Sequence, residues 1–263
     1  MNLSYSDEQN MLREQVLKFC ESDYTFDVRE KIVESNYGHN PETWKQFADL
    51  GWLAVPFSEE NGGFNFGPIE LAVIFEEFGK ALVAEPYLAN VVMSGSVLES
   101  SSNELAKQTI SKIIDGTTQV SVAFSEANNG YNFHDIETSI EDGKLNGVKT
   151  VVLNANFANS FLVYARNGDK PVIYLVDAKA AGVITICYVD PSMLGILKTP
   201  GSMGFDIVVA EGQSMGSPLS FGGPTVGWFA TKKELARLVP GRIIGESRDA
   251  NHTKTYVMTL RAR

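Results

Sequence analysis

Cysteine and histidine are scarce in this sequence of 263 residues. The two cysteines, Cys20 and Cys187, are far apart and form no CxxC pair, which excludes a disulfide framework and favours a reducing, cytoplasmic location. The three histidines, His39, His134 and His252, have no spacing typical of metal ligands. We therefore expect no metal site.

Long apolar runs and an excess of positive charge are also missing. No run of about 18 apolar residues is present to cross a bilayer. The first ten residues, MNLSYSDEQN, lack the basic and apolar regions of a signal peptide. The formal net charge of −10 disfavours a nucleic acid, because affinity for phosphates comes largely from Lys and Arg. We expect neither a membrane nor a nucleic acid as partner.

The charge is unevenly distributed along a chain whose composition, 44% hydrophobic and 21% charged, is typical of globular proteins. Residues 184–263 contain nine Lys and Arg against six Asp and Glu, a net charge of +3. Residues 1–183 contain the remaining 13 and 26, a net charge of −13. The sign changes within AGVITICYVDPSMLGILKTPGSMG, residues 181–204, so the sequence indicates that two different pieces meet there.

Five amphipathic helices are predicted before residue 117. The first follows Ser6, which has Gln9 at the spacing of a capping box. The second has Asn40 as N-cap and Pro41 at its first position, with Gly51 as its stop. The third is GPIELAVIFEEFGK, with Pro68 at its start and Gly79 at its end. The segments EPYLANVVMSGSVLES and SSNELAKQTISKIIDG complete the set. Residues 1–116 are thus predicted to form an all-α domain.

After Gly116 the apolar period changes from about 3.6 to 2, which favours strands. The predicted strand regions are QVSVAFSE, GKLNGVKTVVLN, SFLVYAR and KPVIYLVDA. Asp142-Gly143 and Asn167-Gly168 are hairpin signals. Residues 117–183 are therefore predicted to be an antiparallel β-domain. Beyond residue 184, strand-like DIVVA and TYVMTL flank turns and a short helical TKKELARL, so the whole chain is predicted to be α+β.

Three segments, WKQFADLGWLAVPFSEENGGF, VSVAFSEANNGYN and LNGVKTVVLNANFANSFLVYAR, occur in the order typical of one flavoenzyme family. Over residues 1–183 the sequence resembles the acyl-CoA dehydrogenases. The resemblance implies a helical domain followed by a β-domain that binds FAD, with an acyl-CoA thioester as substrate. It also implies a C-terminal four-helix bundle that supplies the catalytic Glu. Residues 184–263 do not resemble that bundle, so we assign no catalytic residue.

The resemblance places the flavin-binding residues in two segments of this chain. They are Phe124, Ser125, Val151, Val152 and Leu153. Ser125 is the expected hydrogen-bonding group for the flavin ring, whereas Glu126 is interpreted as a structural carboxylate. The chain has Val151-Val152-Leu153 where many members have Trp-x-Thr, and it has Ala127 to Asn129 where many have Pro and then Gly-Ser. We therefore expect weak or partial FAD binding that a partner subunit can complete.

The C-terminal piece contains SFGGP, then GWFA, then PGRIIGE. Over residues 187–263 these segments resemble the P-protein of the glycine cleavage system, glycine dehydrogenase (decarboxylating), specifically its subunit 1. The resemblance implies a mixed α/β fragment of a pyridoxal-phosphate-type fold. No Lys lies in SFGGP, and Lys198, Lys232 and Lys233 lie in polar segments, so we expect no covalently bound pyridoxal phosphate.

Two readings of the glycines and three of the whole chain stay open. Gly222 and Gly223 suit either the close approach of a phosphate or a tight structural turn. The chain is predicted to be a truncated acyl-CoA dehydrogenase-like, flavin-linked oxidoreductase that is inactive alone. The alternatives are a glycine dehydrogenase (decarboxylating) subunit and a fusion product without function.

Overall fold

Six α-helices precede the strands in the described part of the chain, and the predicted α+β class is confirmed. In the computed structural model the described residues are 4–35, 39–128, 132, 134–178, 184–195, 199–216, 226–239, 242–248 and 250–261. The chain divides into two compact units, Met1–Val183 and Ile184–Arg263. The N-terminal unit contains all six α-helices and five of the strands.

The helices of the N-terminal unit include one that the sequence analysis missed. They are α1 (Asp7–Ser22), α2 (Phe26–Glu34), α3 (Pro41–Asp49), α4 (Pro68–Ala81), α5 (Gly95–Glu99) and α6 (Glu104–Ile114). Helix α2 was not predicted. The helix predicted over EPYLANVVMSGSVLES begins as a π-helix, Leu88–Ser94, before it continues as α5. None of the helices in the described ranges is long and apolar enough to cross a bilayer.

The predicted helix starts are confirmed, and one predicted end is wrong. The Ser6 hydroxyl accepts from Gln9 N at 3.2 Å, and Ser6 N donates to Gln9 Oε1 at 2.9 Å, which completes the capping box. Asn40 Oδ1 accepts from Glu42 N at 2.9 Å. Helix α4, however, continues past Gly79 to Ala81 and ends at Leu82, whose φ of +53° is left-handed. The glycine lies within the last helical turn instead of terminating it.

An aromatic cluster forms the core of the helical part. The rings of Phe47 and Phe78 stack with centroids 5.0 Å apart, and Phe19 meets Trp52 edge-on at 5.2 Å. The hydroxyl of Tyr87 donates to Trp52 O at 2.8 Å. Each such buried side chain contributes roughly 1.5–3 kcal/mol through removal of apolar surface from water.

The strands of the N-terminal unit form one mixed sheet, so the prediction of a purely antiparallel β-domain is wrong. The strands are β1 (Val120–Ala123), β2 (Ser139–Glu141), β3 (Lys144–Asn146), β4 (Ser160–Asn167) and β5 (Lys170–Asp177). Strand β1 pairs with β4 in parallel, whereas the β2–β3 and β4–β5 pairs are antiparallel. The long connection from 124 to 159 allows β4 to return in the direction of β1. Strand β5 has β4 as its one partner among the described strands.

Both predicted hairpins are present, but one predicted strand region is shorter than expected. Asp142 and Gly143 have φ of +50° and +73° between β2 and β3, as a type I′ turn requires. The region GKLNGVKTVVLN is a strand only over Lys144–Asn146. Gly147 then has φ of +156°, and residues 147–159, called here the 147–159 loop, are irregular. The apolar residues of the 147–159 loop therefore do not alternate between the two faces of a sheet.

The C-terminal unit contains a small sheet and a separate hairpin. Strand β7 (Ile207–Glu211) pairs in parallel with β6 (Ile186–Tyr188) and antiparallel with β8 (Gly227–Thr231). Strands β9 (Arg242–Arg248) and β10 (Lys254–Arg261) pair with each other. The SFGGP segment with Gly222 and Gly223, and also Lys198, lie outside the described residues.

Candidate functional site

The five residues expected to contact flavin come from two segments that the N-terminal unit brings together. The first segment, 124–126, follows β1, and the second is the start of the 147–159 loop. Thr150 N donates to Ser125 O at 2.8 Å. Lys149 Nζ donates to Phe124 O at 3.2 Å. These bonds place Phe124 and Ser125 beside the segment Val151–Leu153.

Within this segment the side chains point in different directions. Val151 is 83% exposed and Leu153 is 45% exposed, and nearby Val148 is 70% exposed. Val152 is partly buried and packs on the small apolar cluster that includes Ala123. We call the three exposed side chains, Val148, Val151 and Leu153, the apolar edge. These side chains, exposed within six residues of the chain, offer apolar surface on which a ligand can pack.

Val151 has an unusual backbone conformation for a β-branched residue. Its φ is +52°, in the left-handed region where an L-residue costs about 1–2 kcal/mol. Val151 is held in this conformation from both sides. Thr150 and Lys149 before it form hydrogen bonds, and Val152 after it packs on the apolar cluster. Strained residues of this kind cluster at functional sites, which makes the apolar edge a candidate for function.

Glu126 and Lys149 form a nearly buried ion pair behind the apolar edge. Lys149 Nζ lies 2.6 Å from Glu126 Oε1, which also accepts from Thr138 N at 3.0 Å and Thr138 Oγ1 at 2.5 Å. Glu126 Oε2 accepts from Glu137 N at 2.7 Å. Burial raises the pKa of Glu126, but the hydrogen bonds from Lys149, Thr138 and Glu137 outweigh it and lower that pKa to about 2.

These contacts give Glu126 a structural role. A carboxylate with so low a pKa is a poor general base near neutral pH, since catalytic bases have pKa values close to the working pH. Lys149 was not among the site residues predicted from the sequence. The signal was present, because it is a lone charge within the apolar run GVKTVVL, where an unpaired cation is costly to bury.

The described side chains do not indicate a metal site. In the part of the chain that the structure describes, no three His, Cys, Asp or Glu side chains converge as metal ligands. Cys20 is buried, and burial raises the pKa of its thiol to about 11, so it is a weak nucleophile.

Comparison with known proteins confirms both resemblances. Residues 6–117 match the acyl-CoA dehydrogenase N-terminal domain family. Residues 170–263 match the glycine cleavage system P-protein family. The second match begins within strand β5, before the change of charge at residue 184.

The curated relatives resemble only part of this chain. The probable glycine dehydrogenase (decarboxylating) subunit 1 of Thermoplasma acidophilum is 52% identical over 95 residues, 36% of this chain and 22% of the relative. The protein of the same description from Citrifermentans bemidjiense is 35% identical over 167 residues, 64% of this chain and 35% of the relative. The chain therefore spans about a third of the length of these relatives or less.

Solved structures resemble the chain through the dehydrogenase fold. The acyl-CoA dehydrogenase complexed with FAD from Bacillus anthracis superposes with a TM-score of 0.60 at 24% identity, covering 69% of this chain and 32% of that chain. The ChsE4-ChsE5 complex from Mycobacterium tuberculosis superposes with a TM-score of 0.59 at 24% identity, covering 68% of this chain and 49% of that chain. At these identities the likeness shows the fold.

Proposed function

We propose that residues 1–183 form an acyl-CoA dehydrogenase-like, flavin-linked module whose FAD site is partial. The ring of FAD packs on the apolar edge, with Ser125 as its hydrogen-bonding group. The observation that carries this proposal is the exposed, strained Val151 beside Ser125 in a unit with the dehydrogenase fold. Phe124, Val152 and Leu153 complete the proposed contacts.

The residues present fit an aromatic ring system. A planar, largely apolar ring needs an apolar surface with few polar groups, and the apolar edge beside the half-buried Ser125 offers this combination. When bound, FAD supplies a hydride acceptor for oxidation of an acyl-CoA thioester. The chain's own contribution is to bind and orient the ring and to keep Glu126 ionised behind it.

We propose that this chain alone does not oxidise acyl-CoA. Glu126, the carboxylate that pairs with Lys149 beside the apolar edge, is unsuited to remove a proton at neutral pH because its pKa is about 2. Absence of a general base costs on the order of 10²- to 10⁴-fold in rate. A partner subunit is proposed to complete the site, and a cytoplasmic location stays part of the proposal. Turnover of an acyl-CoA with an electron-acceptor dye at about one per second would contradict the proposal that this chain alone is inactive.

A titration of the purified chain with FAD tests the flavin site. A few polar contacts, each contributing about 0.5–1.5 kcal/mol, oppose an association cost of several kcal/mol, so we expect micromolar or weaker affinity and a colourless preparation. Ser125→Ala should weaken binding several-fold, whereas the exposed Ser100→Ala serves as the matched control. No binding at millimolar FAD refutes the proposal. Stoichiometric FAD retained through gel filtration would show a more complete site than proposed.

A second candidate function belongs to the C-terminal unit, because its relatives are up to 54% identical over 86 residues. It is a fragment of a glycine dehydrogenase (decarboxylating) subunit with a pyridoxal-phosphate-type fold. We propose that it binds no pyridoxal phosphate covalently. Lys232 Nζ is engaged by Asp206 Oδ1 at 2.6 Å and Gly204 O at 3.2 Å. Borohydride reduction with one equivalent of pyridoxal phosphate should label no lysine of residues 184–263 more than the exposed Lys45 of the N-terminal unit. Selective, stoichiometric labelling of one lysine there would contradict this.

A third candidate is a fusion without activity. Sequencing the DNA across codons 181–190 from the source organism tests it directly. One uninterrupted reading frame supports a natural two-piece protein, whereas a frame that ends or diverges there supports a joined product.

A further inference from the structure

A chain of polar side chains connects the helical part of the N-terminal unit to the 147–159 loop. His39 Nε2 lies 3.2 Å from Gln119 Nε2, and Gln119 Oε1 accepts from Asn154 Nδ2 at 2.9 Å. His39 and Gln119 are both buried. Asn154 lies three residues after Val151 and shares its left-handed backbone, with φ of +58°. This series of hydrogen-bonded side chains therefore ends at the strained part of the loop.

Gln119 holds the loop at two points. Its side chain binds Asn154, and its backbone exchanges bonds with Asn159, since Gln119 N donates to Asn159 Oδ1 at 2.8 Å and Asn159 N donates to Gln119 O at 2.7 Å. Asn154 O in turn accepts from the amides of Phe157 at 3.2 Å and Ala158 at 3.1 Å. The middle of the loop is thereby tied to the residue before β1.

The hydrogen-bond directions fix the role of His39. Gln119 Oε1 is occupied by the Asn154 amide, which can only donate through Nδ2. Gln119 therefore presents its NH₂ group to His39, and His39 Nε2 must be the acceptor. The His39 ring also lies edge-on to Phe157, with centroids 5.0 Å apart, so it contacts the loop directly as well.

We propose that His39 is a positioning residue for the apolar edge. Through Gln119 it holds Asn154 in its left-handed conformation, and Asn154 fixes the direction in which Val151 and Leu153 leave the loop. This inference rests on the proposed flavin site, because it makes a helical-domain residue that is remote in sequence a determinant of flavin affinity. Loss of the acceptor at His39 leaves the Gln119 NH₂ unpaired in a buried place, so Gln119 reorients and releases Asn154.

The variants are chosen to separate acceptor loss from general damage. His39→Leu removes the acceptor, whereas His39→Gln returns an acceptor oxygen close to the position of Nε2. Asn154→Gly removes the last link of the chain but keeps a residue that tolerates positive φ. Asp142→Gly is its matched control, because Asp142 also has a positive φ, +50°, but lies in the β2–β3 turn.

The test is hydrogen exchange at single amides of the full chain, combined with FAD titration. In His39→Leu and Asn154→Gly we expect exchange at Phe157 and Ala158 to accelerate at least 10-fold, with Tyr164 of β4 unchanged. Flavin affinity should fall several-fold in both. His39→Gln and Asp142→Gly should behave as the unsubstituted chain in both measurements.

The outcomes separate the two proposals. Exchange at Phe157 and Ala158 that is unchanged in His39→Leu and Asn154→Gly overturns the positioning role, whatever the flavin affinity. Failure of His39→Gln to restore slow exchange also overturns it, since the acceptor would then not be the cause. If the exchange pattern is as expected but the unsubstituted chain binds no FAD, the hydrogen-bond chain stands and the flavin site is refuted.

Discussion

Lys149 Nζ lies 2.6 Å from Glu126 Oε1, and the two side chains are only 8% and 3% exposed. The pair joins the 147–159 loop to the segment that follows β1, 23 residues earlier in the chain. Removing one member of a buried pair leaves the other charge without compensation, which costs far more than the pair itself contributes. The ion pair is therefore a point at which the proposed site is sensitive to substitution.

We expect Lys149→Met to lower the free energy of unfolding by about 3–5 kcal/mol, because the Glu126 carboxylate stays buried without its cation. Urea unfolding measures the loss. Lys107→Met is the matched control, since Lys107 pairs with the exposed Glu60 and such surface pairs contribute about 0–1 kcal/mol. Equal losses in the two variants would contradict the importance of burial.

Acid should remove the contribution of Glu126. Its pKa in the folded chain is about 2, below the usual value of 4.5, so the folded state favours the carboxylate. This stabilisation is fully present above about pH 4.5 and is lost as the pH falls towards 2. The difference in unfolding free energy between the unsubstituted chain and Glu126→Gln should shrink steadily from about pH 4.5 to pH 3. A difference that stays constant over this range would mean that Glu126 is not the titrating group.

Gly147→Ala should destabilise the β-domain strongly. A Cβ at this position would lie 2.6 Å from Thr138 Cβ and 2.7 Å from Thr138 Cα, and Gly147 has φ of +156°. Gly143→Ala is the control, because Gly143 also has positive φ, +73°, but has open space around it. We expect a loss of about 1 kcal/mol at Gly143 and at least twice that at Gly147, measured by thermal unfolding. The same loss at both positions would show that backbone conformation alone decides the outcome.

Leu82→Gly should stabilise the chain. Leu82 is exposed and ends α4 in the left-handed conformation, where glycine avoids a cost of about 1–2 kcal/mol. The backbone acceptor for Arg29 Nε remains. We expect a gain of about 0.5–1 kcal/mol after the entropy of glycine in the unfolded chain is subtracted. Leu105→Gly, at an exposed position within α6, should instead lose about 1 kcal/mol. A loss in both variants would contradict the argument.

Limited proteolysis should separate the two units. Residues 1–183 and 184–263 form two compact units of opposite net charge. We expect the first cleavage between about 180 and 205, giving a stable fragment that contains α1 to β5, as mass spectrometry of the early products can show. First cleavage within 120–175 would contradict this order.

Local features of the fold could be predicted because single residues specify them. Ser6 with Gln9, Asn40 with Pro41, and Asp142 with Gly143 each satisfy a local hydrogen-bond or φ requirement, and all three formed the predicted cap or turn. The direction of pairing between β1 and β4 depends on a connection of 36 residues, for which no local signal exists. The same limit explains why the mixed sheet was not predicted.

The candidate site was predictable in its segments but not in its geometry. The family resemblance selected Phe124, Ser125 and Val151–Leu153, and the fold brings those segments together through Thr150 and Ser125. A positive φ at Val151 contradicts the preference of a β-branched residue, so sequence alone predicted a strand there. Gln119 and Asn154 were missed because their bonds connect residues 35 positions apart. Flavin binding by Phe124, Ser125 and Val151–Leu153 stays a prediction.

Strand β5 has its hydrogen-bonding partner, β4, on one side, and among the described strands of its sheet none pairs with the other side. Outward-facing amide and carbonyl groups along its eight residues are a template on which further chains can add. Pro171 removes one donor from the strand, and Lys170 and Asp177 place charges at its two ends. The tendency of this protein to assemble should therefore depend on the salt concentration. As ionic strength screens the terminal charges, we expect slow, concentration-dependent assembly that begins at β5, well below the temperature at which the helices unfold.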